Sequence, residues 1–192
     1  MATLTPQKIA QLLQDYYPHP SEKLLSQLSD YLDLLLKWNA RTNLTAIRDP
    51  EEIVRRHFGE SLFVATHLPN CATLLDLGSG AGFPGVPIQL ACPELCVTLA
   101  ESQNKKASFL REAVRTLGLV TEVWSDRVEN MPANRRFDVV ALRAVDNPAV
   151  ALQLARARLT PGGLIAHLTS GSNDSGITVP VPNSSQSSLH LF

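Results

Sequence analysis

The chain predicts an α/β fold, a doubly wound and mainly parallel sheet preceded by a helical extension. Three observations carry that expectation. Residues 1–70 read as successive helices. From Ala72 onward, short apolar runs alternate with helical stretches, the pattern of strands joined by crossover helices. A glycine-dense loop, Gly78-Ser79-Gly80-Ala81-Gly82-Phe83-Pro84-Gly85, directly follows the first apolar run. Ligands of such sheets sit beyond the carboxyl ends of the strands.

Length and composition agree. The 192 residues are 44% hydrophobic and 18% charged, with a formal net charge of −1. That is the size of one domain, and it is too apolar for disorder. No apolar run approaches the roughly 18 residues of a membrane span. The start of the chain lacks a basic-then-apolar signal pattern. Cys71, Cys92 and Cys96 form neither a disulfide framework nor a zinc spacing. A cytoplasmic protein without a metal or membrane partner is expected. The near-neutral balance gives no charge argument for nucleic-acid binding.

The elements follow in order. Thr5-Pro6 starts a first helix, because proline at its first position has no amide hydrogen to leave unpaired. Ile9, Leu12, Leu13 and Tyr16 continue it at helical spacing. Ser21 caps a second helix with an apolar stripe from Leu24 to Leu36, running toward Trp38. Asp49-Pro50-Glu51-Glu52 starts a third, with acids in the turn that opposes the helix dipole. Strands are expected at 72–77, 95–100, 120–124, 137–142 and 163–168, with helices near 85–91, 104–117 and 147–158. The tail, 171–192, is Ser-rich and unlike the rest. It reads either as disorder or as a short hairpin of 177–181 and 189–192, with Pro180 and Pro182 confining such a strand to the sheet edge.

Two cofactor readings compete at the glycine loop. Gly80, Gly82 and Gly85 fit the GxGxxG of dinucleotide sites, a weak signal alone. Pro84 then removes an amide where a pyrophosphate needs one, and Asp76 would repel a phosphate. The same loop, read as Asp76-x-Gly78-x-Gly80-x-Gly82, suits S-adenosylmethionine. That cofactor has no phosphate and carries an ammonium that a carboxylate can meet directly or through water. Glu101 ends the second strand and can accept both hydroxyls of a ribose. Ribose is common to both cofactors, so Glu101 supports a nucleoside without choosing between them.

The stretch from Leu74 to Glu94 and the segment Leu99 to Leu119, with Trp38-Asn39, Asn43-Leu44-Thr45, Arg56-His57 and Glu60-Ser61 upstream, resemble the glucose-inhibited division protein B family of bacterial 16S rRNA guanine-N(7) methyltransferases. The resemblance covers about residues 25–168, and Glu60 stands where many relatives carry Asp. It implies a Rossmann-like class I S-adenosylmethionine-dependent fold whose last strands are short or missing here, and a 16S rRNA substrate in the small ribosomal subunit, met by a monomer. It implies that Gly78 and Phe83 contact the cofactor, that Glu101, Ser102 and Gln103 line its ribose, and that Val128 and Glu129 border its adenine. Arg143 would close the site near the methionine end or the target base. Three segments are expected: a helical extension (1–70), a cofactor-binding core (71–170) and the atypical tail (171–192).

The reaction fits the absence of a nucleophile–base pair in the sequence. Guanine N7 has an in-plane lone pair and no proton to lose, so transfer to it needs positioning and no general base. Arg143, Asn43 and His57 are the positioning candidates, with His57 also readable as a hydrogen-bonded packing histidine and Asn43 as a turn former. Arg48, Arg55 and Arg56 with Arg143 are candidates for phosphate. Family members carry Lys-Gly after the fifth strand and continue further, where this chain reads Thr169-Ser170-Gly171. That departure keeps open a weak or silent cofactor-binding, ribosome-associated protein. A methyltransferase for a non-RNA acceptor stays open too.

Overall fold

In a computed structural model of the chain, residues 2–145, 147–170, 176–184 and 186–192 are described. Seven strands form one sheet: β1 (Thr73–Leu77), β2 (Cys96–Ala100), β3 (Glu122–Trp124), β4 (Phe137–Arg143), β5 (Leu159–Thr169), β6 (Ile177–Pro180) and β7 (Ser188–Leu191). Their order is β3-β2-β1-β4-β5-β7-β6. Strands β1 to β5 pair in parallel, β7 pairs antiparallel with β5, and β6 pairs antiparallel with β7. The strand order therefore reverses beside β1, and the glycine loop leaves β1 at that switch point.

The helices are α1 (Pro6–Leu13), α2 (Glu22–Thr42), α3 (Pro50–Ile53), α4 (Glu60–Thr66), α5 (Gly85–Ala91), α6 (Asn104–Thr116) and α7 (Pro148–Ala157). Thr5, Ser21 and Asp49 each accept an amide at a helix start, as their residue types require. Between α3 and α4 the chain keeps turning but widens into a π-helical stretch, Val54–Gly59. Such widened turns often mark functional positions.

Strand alternation divides the core into two faces. Leu74, Leu99, Val139, Ala141 and Leu189 turn toward Ile9, Leu13, Leu28, Leu32 and Leu62 of the N-terminal helices. Leu75, Leu77, Val140, Leu142 and Ile165 turn to the other face, against Ala151 and Ala155 of α7. The helical extension and the tail thus bury side chains in the same core as the sheet. Of the two readings of the tail, its described part takes the hairpin: β6 is the edge strand and Pro180 lies in it, where no further strand needs its missing amide hydrogen. The last strands are short rather than missing. Residues 171–175, including Gly171, lie outside the described residues.

Candidate functional site

A cleft of about 610 Å³ opens over the carboxyl ends of β1, β2 and β4. One half is built from the glycine loop and the end of β2: Leu77, Gly78, Gly80, Glu101 and Gln103. The other half is built from the N-terminal helical region and the end of β4: Leu44, Thr45, Arg56, His57, Phe83 and Arg143. Val145, Val150 and Leu154 form an apolar rim on the α7 side.

The loop geometry follows from its residues. Gly80 has φ +58°, and no atom but Gly78 O lies within 4 Å of where its Cβ would stand. A side chain there would be strained and would project into open space. Gly85 has the opposite constraint. A Cβ there would stand 2.4 Å from Leu99 Cδ2 and 2.6 Å from Asp76 Oδ2, so helix α5 starts against the sheet only as glycine. The amides of Gly78 and Ser79 donate to Ala100 O at 3.0 Å, and Gly80 N donates to Glu101 Oε2 at 3.0 Å. Gly82 and Phe83 donate to Ser79 O, and Gly85 to Asp76 Oδ2 at 2.9 Å. Those amides are spent inside the protein, so the loop offers no phosphate cradle of the dinucleotide kind.

Glu101 is buried, and its Oε1 accepts from Gln103 N at 2.7 Å. Each oxygen keeps a lone pair for a ribose hydroxyl. Asp76 lies under the loop with no exposure and does not line the cleft. Burial pushes its carboxyl up to about 6, against the Gly85 amide and the Ser79 hydroxyl, which pull it down. Its Oδ1 has no hydrogen-bond partner.

The half lined by the N-terminal helical region centres on Phe83. His57 stacks on its ring at 4.7 Å, and the Arg143 guanidinium lies over it at 5.9 Å. Thr45 Oγ1 lies 2.7 Å from His57 Nε2 and also accepts from Ile47 N at 3.2 Å. Burial, with Arg143 and Arg56 adding repulsion, pushes His57 down to about 3, so its ring is neutral at physiological pH. His57 is thus a hydrogen-bonded packing histidine that also lines the cleft. Arg143 Nη2 donates to Glu60 Oε2 at 2.8 Å and to Arg56 O at 2.7 Å, while its buried Nη1 has no partner. Burial works against the charge of Arg143 and the Glu60 carboxylate supports it. Arg56 Nε meets the other Glu60 oxygen at 3.1 Å.

The structure brings together Gly78, Gly80, Phe83, Glu101, Gln103, His57 and Arg143. It leaves five of the cofactor and positioning candidates outside the cleft wall, together with the phosphate candidates Arg48 and Arg55. Asp76 lies beneath the loop. Ser102 is exposed beside Glu101. Val128 is buried in the α7-side core and Glu129 is exposed on the turn that follows. Asn43 takes a left-handed conformation at the end of α2 and accepts from Arg48 Nη2 at 2.7 Å. Arg55 pairs with Glu51 at the surface, away from Arg56. The residues missed were Thr45 and Glu60 in the roles seen here, and Lys106, which joins the wall. Only the i, i+4 spacing of Arg56 and Glu60 signalled the pair.

Fold and cleft define a class I S-adenosylmethionine-dependent methyltransferase. Solved methyltransferases share the architecture at low identity: a coclaurine N-methyltransferase (TM-score 0.54, 17% identity, 84% of this chain and 55% of that one) and a ribosomal protein L11 methylase from Lactobacillus delbrueckii subsp. bulgaricus (TM-score 0.56, 10% identity, 71% and 77%). Residues 24–178 match the family described as rRNA small subunit methyltransferase G, and the chain belongs to that family. Among similar proteins, the ribosomal RNA small subunit methyltransferase G of Stenotrophomonas maltophilia (strain K279a) is 46% identical over 143 residues, 74% of this chain and 67% of that protein. Those of Myxococcus xanthus (43%, 72% of this chain and 66% of that protein) and Methylobacillus flagellatus (42%, 81% and 74%) are similar too. The alignments span about two thirds to three quarters of these relatives' own length.

Proposed function

We propose that this chain transfers a methyl group from S-adenosylmethionine to N7 of a guanine in 16S rRNA of the small ribosomal subunit, acting as a cytoplasmic monomer. The observation that carries this reading is the two-part cleft, a ribose-accepting carboxylate on one side and an arginine–histidine–aromatic wall on the other. Among the described residues no helix is long and apolar enough to cross a membrane and no acidic, His and Cys cluster could hold a metal ion.

The residues present fit the cofactor. Gly78 and Gly80 leave space for its amino-acid end, Glu101 and Gln103 receive the ribose, and the Val145–Leu154 rim offers an apolar surface to the adenine. That assignment puts the adenine on the α7 rim, whose Val145 and Leu154 pack with Val128 in one apolar cluster, while Glu129 stays exposed outside the cleft wall. Ser102 stands exposed beside Glu101, outside the cleft wall, and Asp76 fixes the loop from below, through Gly85. When bound, S-adenosylmethionine supplies an electrophilic methyl on a sulfonium.

This chain's residues supply position. Phe83, buried with His57 stacked on its ring and Arg143 over it, backs the wall against which an unstacked purine can lie. Neutral His57, held by Thr45, competes for no proton at N7. Arg143, fixed through Nη2, turns cationic donors toward an oxygen acceptor of the base or its phosphate. Asn43 holds Arg48 beside the end of α2, outside the cleft wall. The N-terminal helical extension faces the RNA, the segment from β1 to β5 carries the cofactor, and β6 and β7 complete the sheet.

Small subunits lacking the mark, incubated with the protein and tritiated S-adenosylmethionine, should gain label at one guanine N7. Label on free metabolites or protein instead would redirect the reading to another acceptor. Cofactor binding without transfer to any of them would favour a silent binding protein.

A further inference from the structure

We propose that Glu60 sets the charge of the acceptor half of the cleft, its buried carboxylate offsetting Arg56 and Arg143 so that a cationic sulfonium is tolerated beside two guanidinium groups. The inference deepens the methyltransferase reading and rests on it.

Among the described residues, three cations, Arg56, Lys106 and Arg143, line the cleft against one lining anion, Glu101. S-adenosylmethionine brings a further positive charge, and a guanine methylated at N7 leaves the reaction positively charged. An arginine wall alone would oppose both. Glu60 is 2% exposed and does not line the cleft, so it touches no ligand. Its two oxygens are divided between the two arginines, at 2.8 Å to Arg143 Nη2 and 3.1 Å to Arg56 Nε. One negative charge thus serves two positive ones and leaves a net charge near +1 on that wall.

The placement is a product of the helix. The π-helical stretch Val54–Gly59 carries Arg56 and His57 to the cleft wall, and Glu60 begins the α-helix after it, underneath. Arg143 reaches the same carboxylate from β4, 83 residues along the chain. Its side chain is only 11% exposed, so its field is weakly screened by water. Glu60 is thereby a positioning residue and a charge balance in one.

The charge role has a signature that a purely structural role lacks. S-adenosylmethionine and S-adenosylhomocysteine share every recognition group but differ in the sulfonium charge. Calorimetric titration of both ligands should show that Glu60→Gln raises the ratio of their Kd values, methionine form over homocysteine form, by roughly three- to tenfold, the scale of one charge in the next layer at an effective dielectric of about 20. Glu60→Asp keeps the charge and should leave the ratio within about twofold of the native one. Glu51→Gln, which removes an exposed carboxylate on the same helical segment, should do likewise. Arg56→Gln should move the ratio in the opposite direction.

An unchanged ratio in Glu60→Gln, including a parallel weakening of both ligands, overturns the proposal. Should Glu60→Gln fail to fold, an unchanged ratio in Arg56→Gln overturns it equally. Native protein that binds neither ligand would instead overturn the methyltransferase reading itself.

Discussion

Tyr31 on α2 donates its phenolic hydrogen to the carbonyl oxygen of Ala81, in the middle of the glycine loop and 50 residues further along the chain. Tyr31 is fully buried, and its ring stacks on Phe58 at 5.3 Å and tilts against Phe83 at 5.6 Å. Burial, with the nearby Asp76 carboxylate, raises its phenol well above the ordinary value, so it remains a donor throughout the working range. The helical extension therefore shapes the cofactor loop directly.

Tyr31→Phe keeps the ring contacts and deletes that single bond. The expected loss is about 1–2 kcal/mol of stability, because the Ala81 carbonyl is left buried and unpaired. Cofactor affinity should fall several-fold as the loop loosens. Denaturant titration and calorimetry on the same preparation measure both. Unchanged cofactor affinity would mean that the extension does not brace the loop.

Asp76 gives a pH dependence whose sign is set by burial. Its folded value of about 6 lies above the ordinary value of 3.8. The stability it contributes is therefore full below the unfolded value and is lost as pH rises through about 6. Asp76→Asn, which cannot ionise, should be more stable than the native chain at pH 7.5, by at most about 3 kcal/mol. The gap should shrink toward pH 4. Unfolding free energies at several pH values test this, and a gap independent of pH would refute it.

His167 on β5 carries the opposite sign. It stands directly opposite His190 on β7, and both are buried. Burial, with His190 adding repulsion, lowers His167 from its ordinary value of 6.5. Its contribution is complete above the unfolded value and is lost as pH falls below it. The β6–β7 hairpin is therefore expected to loosen first in mild acid. Amide hydrogen exchange at Leu189 and Leu191 should accelerate between pH 7 and pH 5 beyond the intrinsic change, and His167→Leu should abolish that excess.

Much of this architecture was legible in the chain because its cause is local. Five strands stand out as short, mostly apolar runs, since both faces of a parallel sheet are covered. The hairpin was one of two open readings of the tail, and Pro180 settled only that such a strand would lie at the edge. Which side of β1 Asp76 occupies was recoverable as well, from its alternation with Leu75 and Leu77, yet a carboxylate beside glycines suggests ligand contact before it suggests an amide nine residues on. The π-helical stretch left no mark, because one extra residue in a turn changes no residue type. The Glu60–Arg143 bond joins positions 83 residues apart, and only the folded sheet brings them together.

The basic residues near the cleft separate by what already holds them. Arg55 is paired with Glu51 at the surface, whereas Arg56 lines the cleft with its side chain half exposed and shares Glu60 with Arg143. If RNA phosphate enters beside Phe83, it meets Arg56 first. Arg56→Ala should reduce the slope of log affinity against log salt by about 1, the value for losing one phosphate contact. Arg55→Ala should leave the slope nearly unchanged, since its charge is already committed to Glu51. Filter binding of small subunits across a salt series measures both slopes. Equal slopes in the two variants would place the RNA on another face of the helical extension, and Arg56 would then act only on the charge of the cleft.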